Sequence, residues 1–241
     1  MQGCMLRSFL VWLLTVSQQL VADDLVIPAV HNPSLPARAS TVRGFVPKGW
    51  KLEAQELGDL NGDGIGDAVL VLHQNNPRNI VANEIGPGLS RVNANPRLLV
   101  VVLGERRPHG YALVLQNSTL IPRLMDAITD DPFDGISIFQ GTFRVSLHLW
   151  VCAGSWGSQE VTLAFRYQEG CFKLVGYEGR SVQRNTGETT DRNIDFLTKI
   201  SETTTGFLDS DEHETNRQPL QVDHLQCLDE VGDGLEFQPE K

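Results

Sequence analysis

Asp59-Leu60-Asn61-Gly62-Asp63-Gly64-Ile65-Gly66-Asp67 runs directly into Ala68-Val69-Leu70-Val71-Leu72, and the junction of these two strings decides the fold. The first string sets oxygen-bearing side chains, Asp59, Asn61, Asp63 and Asp67, among glycines that allow the tight reversal turning those side chains inward. The second is an apolar run with two valines, bounded upstream by glycines, and reads as a buried strand. A helix-loop-helix calcium site needs a bidentate glutamate at the twelfth loop position. Counted from Asp59, that position is Leu70, which cannot ligate. The oxygens must close within the nine residues and hand over to a β-strand.

A hard cation such as Ca²⁺ takes six to eight oxygens at about 2.3–2.6 Å from carboxylates, amides and main-chain carbonyls. The expected ligands are the side chains of Asp59, Asn61, Asp63 and Asp67 with the carbonyl of Ile65. The alternative is a solvated Asx/Gly turn without metal. Together with the apolar run, the loop resembles the calcium loop of FG-GAP repeats, the blades of integrin-type β-propellers and related VCBS-type secreted proteins. The resemblance covers one full copy. It implies Ca²⁺ held between two strands, mostly for rigidity and in some members beside a ligand surface. Asp130-Asp131-Pro132-Phe133-Asp134-Gly135-Ile136 echoes Asp63-Gly64-Ile65, but Pro132 and Phe133 break the ligand spacing, so it is read as a turn.

Outward from the loop, the chain reads as short strands. Leu98–Leu103 is a second buried run, and Tyr111–Leu115 returns after a hairpin-like connection. Ile136–Phe139 precedes a Gln140-Gly141 turn. Phe143, Val145, Leu147 and Leu149 then alternate with Arg144, Ser146 and His148, which marks a strand with one buried face. Val161–Tyr167 and Phe172–Tyr177 extend that meander across Glu169-Gly170. Ile194–Ile200 and Thr203–Phe207 read as a further hairpin, and 74–97 as a long loop. Trp150 and Trp156 flank a bend and are expected to pack in the core, the alternative being an exposed aromatic patch. The fold class expected is all-β, with antiparallel meanders forming a partial or irregular propeller-like domain; the alternative is a β-sandwich.

The start of the chain sets the compartment. Arg7 precedes the run Phe9–Val16, whose only polar member is Thr15, and Ala22 precedes Asp23-Asp24, the pattern of a secretory signal peptide cleaved after residue 22. That run is too short to span a bilayer, which takes about 20 residues. An exported, periplasmic or secreted protein is expected, without a membrane span. The organisation expected is a signal peptide at 1–22, an extended segment at 23–44, a β-rich domain at 45–208 and an acidic segment at 209–241. Removing the leader with Cys4 leaves Cys152, Cys171 and Cys227, an odd number in an oxidising compartment. Cys152 and Cys171 would lie at opposite ends of one strand, about 25 Å apart, beyond the roughly 7 Å reach of a disulfide. Cys171 with Cys227 is the expected bridge.

The chain carries a net charge of −10, and from Ser201 onward eleven acids face two bases, Arg217 and Lys241. Nucleic acid is not an expected partner, because phosphate binding needs a basic patch. No nucleophile elbow, zinc-binding His-Glu-x-x-His or phosphate loop occurs. The six histidines show no ligand spacing, no catalytic residue is expected, and the Asn117-Ser118-Thr119 sequon is read as coincidental. The function expected is a calcium-stabilised binding module whose partner is another protein or a glycan. The alternatives are a periplasmic inhibitor or immunity-type protein that blocks an enzyme, its acidic segment plugging a basic cleft, and a hydrolase with an unrecognised site.

Overall fold

A computed structural model describes residues 25–84, 86–106 and 109–239. The signal peptide read at 1–22 lies outside the described residues. Within them the fold is all-β and antiparallel, and the one α-helix is a single turn, α1 (Leu228–Val231).

The apolar runs on either side of the loop build one sheet. β3 (Asp67–Gln74) lies between β2 (Trp50–Gly58) and β6 (Arg97–Arg106), and β7 (His109–Asn117) and the short β1 (Arg38–Ala39) complete its five strands. Ala68 pairs with Val102 and Leu72 with Leu98, so the two runs lie side by side. Both are continuous because both faces of this sheet are covered. Val69, Val71, Leu99 and Val101 face the second sheet. Ala68, Leu70, Leu72, Leu98, Val100 and Val102 face the other way, under Phe45, Leu35, Val42 and Val46. Within the segment expected to be extended at 23–44, the residues from Leu35 onward therefore form a cover, with a 3-10 turn at Val42–Phe45.

The second sheet is an uninterrupted meander of seven strands: β8 (Phe133–Phe139), β9 (Thr142–Trp150), β10 (Gly157–Gln168), β11 (Cys171–Gln183), β12 (Glu188–Asp195), β13 (Ile200–Phe207) and β14 (His213–Pro219). It obeys the period-two rule. Phe143, Val145 and Leu147 of β9, with Val161, Leu163 and Phe165 of β10, point into the shared core, while Arg144 and Glu160 stay exposed. Phe143 packs at 5.3 Å against Phe165 and 5.2 Å against Phe172, the offset and edge geometries that aromatic rings favour. The two large sheets share one hydrophobic core and neither closes into a barrel, so the arrangement is sandwich-like.

Several local readings change. Ile194–Ile200 is not one strand. β12 ends at Asp195, whose Oδ1 accepts the Leu197 and Thr198 amides, and Lys199 takes φ 56° to complete the reversal. The long loop 74–97 contains a small hairpin of β4 (Ile80–Ala82) and β5 (Arg91–Asn93). The boundary drawn at 208/209 falls in the β13–β14 turn. Beyond it, Leu220, Leu228 and Val231 enter the central core, and Cys227 is disulfide-bonded to Cys171 with Cα atoms 5.9 Å apart. Trp150 and Trp156 are 43% and 63% exposed, so neither is a core residue. Arg184 holds their loop instead. Its guanidinium lies 4.1 Å from the Trp150 ring centroid and donates to the carbonyls of Val151, Ser155 and Trp156.

Candidate functional site

The nine-residue loop joins β2 to β3, closing where Gly58 pairs with Asp67. Gly62 and Gly64 have φ of 80° and 76°, a region that side-chain-bearing residues avoid. These reversals turn successive amides toward the carboxylates. Asp59 Oδ1 accepts from the amides of Gly62 at 2.7 Å and Asp63 at 3.2 Å, and its Oδ2 from Gly64 at 2.9 Å. Asn61 Oδ1 accepts from the Asp63 amide, and Asp63 Oδ1 from the Ile65 amide at 2.7 Å. Asn61 Nδ2 donates to Asp63 Oδ2 at 3.2 Å. The Gly64 amide, then those of Gly62 and Asp63, hold the Asp59 carboxyl below its usual range, so it stays anionic.

Asp67 occupies a different environment from the other predicted ligands. It is fully buried, accepting from the Leu60 amide through Oδ2 and the Gly104 amide through Oδ1, each at 2.8 Å. It ties the loop to β6. Gly104 permits this approach, since a Cβ there would stand 2.5 Å from the Gly66 carbonyl oxygen. Burial pushes the Asp67 carboxyl up against the opposing pull of the Gly104 and Leu60 amides. The structure therefore brings Asp59, Asn61 and Asp63 together on the exposed side of the loop and sets Asp67 beneath them. Ile65 contributes an amide to Asp63. Among the described residues, no three His, Cys, Asp or Glu side chains gather as a ligand set. The expected ligand oxygens, carboxylates, an asparagine carbonyl and a main-chain carbonyl, are all hard, the kind that suit Ca²⁺ rather than a softer ion. A carboxylate has about four lone-pair positions, so bonds to amides do not exhaust Asp59 or Asp63.

A second polar constellation was not legible beforehand. Arg97, 6% exposed, sits at the end of the apolar β6 run and grips two carboxylates. Its Nε and Nη2 reach Glu53 at 2.6 and 3.0 Å, and its Nη1 and Nη2 reach Asp131, both at 2.7 Å. Its guanidinium carbon lies 5.2 Å from the Phe133 ring centroid. His73, paired with Arg97 across β3 and β6, places Nδ1 3.0 Å from Glu53 Oε1. Glu53 is the extra residue of a bulge, between the Leu52–Leu72 and Ala54–Val71 pairs, a device that re-aims a side chain. The nearest sequence signal was a polar residue ending each of two apolar runs. A histidine oriented by a carboxylate invites a catalytic reading, but His73 Nε2 is buried and has no partner among the described residues. The cluster instead joins β2, β3 and β6 to the residues leading into β8. Asp134, a further acid of the loop-like segment, pairs with His148 at 2.7 Å.

Asn117 of the sequon is buried and structural. Its Oδ1 accepts the Thr119 and Leu120 amides, and its Nδ2 donates to Asp229 Oδ1. Comparison with known proteins finds no matching family model, no matching characterised sequence and no matching solved structure.

Proposed function

We propose that this protein is an exported, calcium-stabilised β-rich module that binds another macromolecule. The observation that carries the calcium half is the organised loop, in which Asp59, Asn61 and Asp63 converge on one run of amides between the edge strand β2 and the buried strand β3. These three side chains and the Ile65 carbonyl would hold the ion, with Asp67 anchoring the loop from below. Bound Ca²⁺ would neutralise the carboxylates and fasten the β2–β3 connection. The Cys171–Cys227 disulfide supports export, since such bridges persist in oxidising compartments. The binding half is supported by Trp156, an exposed indole on a loop that Arg184 already holds in shape. Preorganised aromatic anchors are what interfaces use.

Thermal unfolding in EDTA and then in millimolar Ca²⁺ tests the calcium half. A site of extracellular affinity near 10⁻⁴ M gains about 1.4 kcal/mol at 1 mM Ca²⁺. Asp63→Ala should remove that gain. A midpoint indifferent to Ca²⁺ in the wild type would sink the calcium reading and leave the fold untouched. For the inhibitor alternative, deleting 209–241 is a poor probe, because it takes Leu220, Leu228 and Val231 out of the core. Reversing the exposed acids Asp209, Asp211, Glu212 and Glu214 probes it without that damage.

A further inference from the structure

We infer that the cleft between the C-terminal residues Phe237–Pro239 and the core-facing side of β10–β12 binds a small anion, a carboxylate or a phosphate, through Arg192. The strand register defines the place. Tyr177 and Ile194 are paired core residues; one step farther out Gly179 pairs with Val161 and Arg192, and then Ser181 with Gln159 and Thr190. This row faces a cleft of about 220 Å³, closed on its far side by Phe237, Gln238 and Pro239.

Three observations point to an anion. Arg192 Nε is buried and has no hydrogen-bond partner among the described residues. A buried donor left unsatisfied costs about 1–3 kcal/mol, and more when charged, so a partner beyond the described residues is called for. Among the described residues, no Asp or Glu lines the cleft, in a chain of net charge −10. Arg180 alternates with Gly179 and Ser181 along β11, so its side chain turns to the opposite face and meets Asp191 at 3.6 Å. Arg192 is the cation on the cleft face.

The remaining wall supplies neutral hydrogen-bonding groups: the Ser181 and Thr190 hydroxyls, the Gln159 amide and the Tyr177 phenol. Burial pushes the Tyr177 phenol up, against the pull of Arg192 and a hydrogen bond with Gln159, so it remains a neutral hydroxyl. Gly179 is what admits it, because a Cβ there would lie 2.6 Å from the Tyr177 oxygen. A planar guanidinium flanked by neutral donors matches the oxygens of a carboxylate or phosphate, which arginine takes two at a time. The volume is below the 300–1,000 Å³ of drug-sized pockets, so the ligand is a single anionic group with little attached. The site is independent of calcium at the Asp59–Asp67 loop.

The test is a titration of the full chain with inorganic phosphate and, separately, with acetate, reading the Arg192 Nε–H resonance by NMR. Sodium chloride at matched ionic strength is the control. A saturable shift with either anion and none with chloride is the expected result, and which anion acts separates the two ligand classes. Arg192→Gln should weaken that binding about tenfold or more, read on neighbouring amides. Thr190→Val, which keeps the shape and removes one hydroxyl, should weaken it less and serves if Arg192→Gln does not fold. The inference fails if neither anion saturates the shift, or if both variants titrate as the wild type does. It also fails if binding appears only in Glu240→Gln, since the cleft would then belong to the carboxylate that follows Pro239 in the chain.

Discussion

The two large sheets bury their strands by different rules. In the five-stranded sheet, β3 and β6 are covered on both faces, and every residue from Ala68 to Leu72 is shielded from solvent. In the seven-stranded sheet, β9 and β10 turn only alternate residues inward, and the outer face stays polar. One sheet is thus a slab within the protein and the other is a wall of it. The slab needs a second cover, and Phe45 with the residues around it supplies one. The wall needs no cover, and its charges meet across strands, as Arg144 meets Glu178 at 2.9 Å.

The first expected effect lies where slab meets wall. Arg97→Met leaves Glu53 and Asp131 without the cation that holds both. Glu53 and Asp131 are 24% and 52% exposed, so the charges left behind are partly solvated. The cost falls at the low end of the range for breaking a buried pair, about 3 kcal/mol, which urea unfolding at neutral pH measures. A cost below about 1 kcal/mol would mean the four-residue cluster does not fasten the sheets.

Adjacent positions then separate the two rules. In β3, Leu70→Ala should cost about 2–5 kcal/mol and its neighbour Val71→Ala about 2 kcal/mol, because one faces Phe45 and the other the central core. In β9, Leu147→Ala should cost about 2–5 kcal/mol, whereas Arg144→Ala on the open face should stay within about 1 kcal/mol. Denaturant midpoints of the four variants give the pattern directly. A small effect at Leu70 would show that the N-terminal cover is loose and that the slab is really a second wall.

This contrast explains what could be read from the chain alone. Periodicity separates continuous from alternating burial, so β3, β6 and β9 were legible as strands of two kinds. The glycines and acids of 59–67 give a local loop its shape without help from elsewhere, and the loop was legible too. Long-range partners leave no such trace. Glu53 and Asp131 reach Arg97 from 44 and 34 residues away, and a bulge chooses Glu53 for it. Trp150 was expected in the core because indoles usually are, yet Arg184, brought across by the β11–β12 turn, offers its guanidinium face instead. Asp195 ends β12 through its own side chain, inside a stretch whose pattern continues unbroken.

The last effect is the most specific to the junction. Burial tends to raise the Glu53 carboxyl, but hydrogen bonds from His73 and Arg97 outweigh it and lower it from 4.5 to about 2. A carboxyl held down in the folded state stabilises the fold fully above its unfolded value, and the contribution is lost as pH falls from about 4.5 toward about 2. Glu53→Gln keeps the shape and removes that titration, while the other carboxylates remain in both chains. Unfolding free energy measured from pH 5 down to pH 2.5 should therefore fall more steeply in the wild type than in Glu53→Gln, and the gap between them should narrow with acid. Parallel curves would mean that Glu53 is solvated rather than clamped, and that the slab and the wall are joined by apolar packing alone.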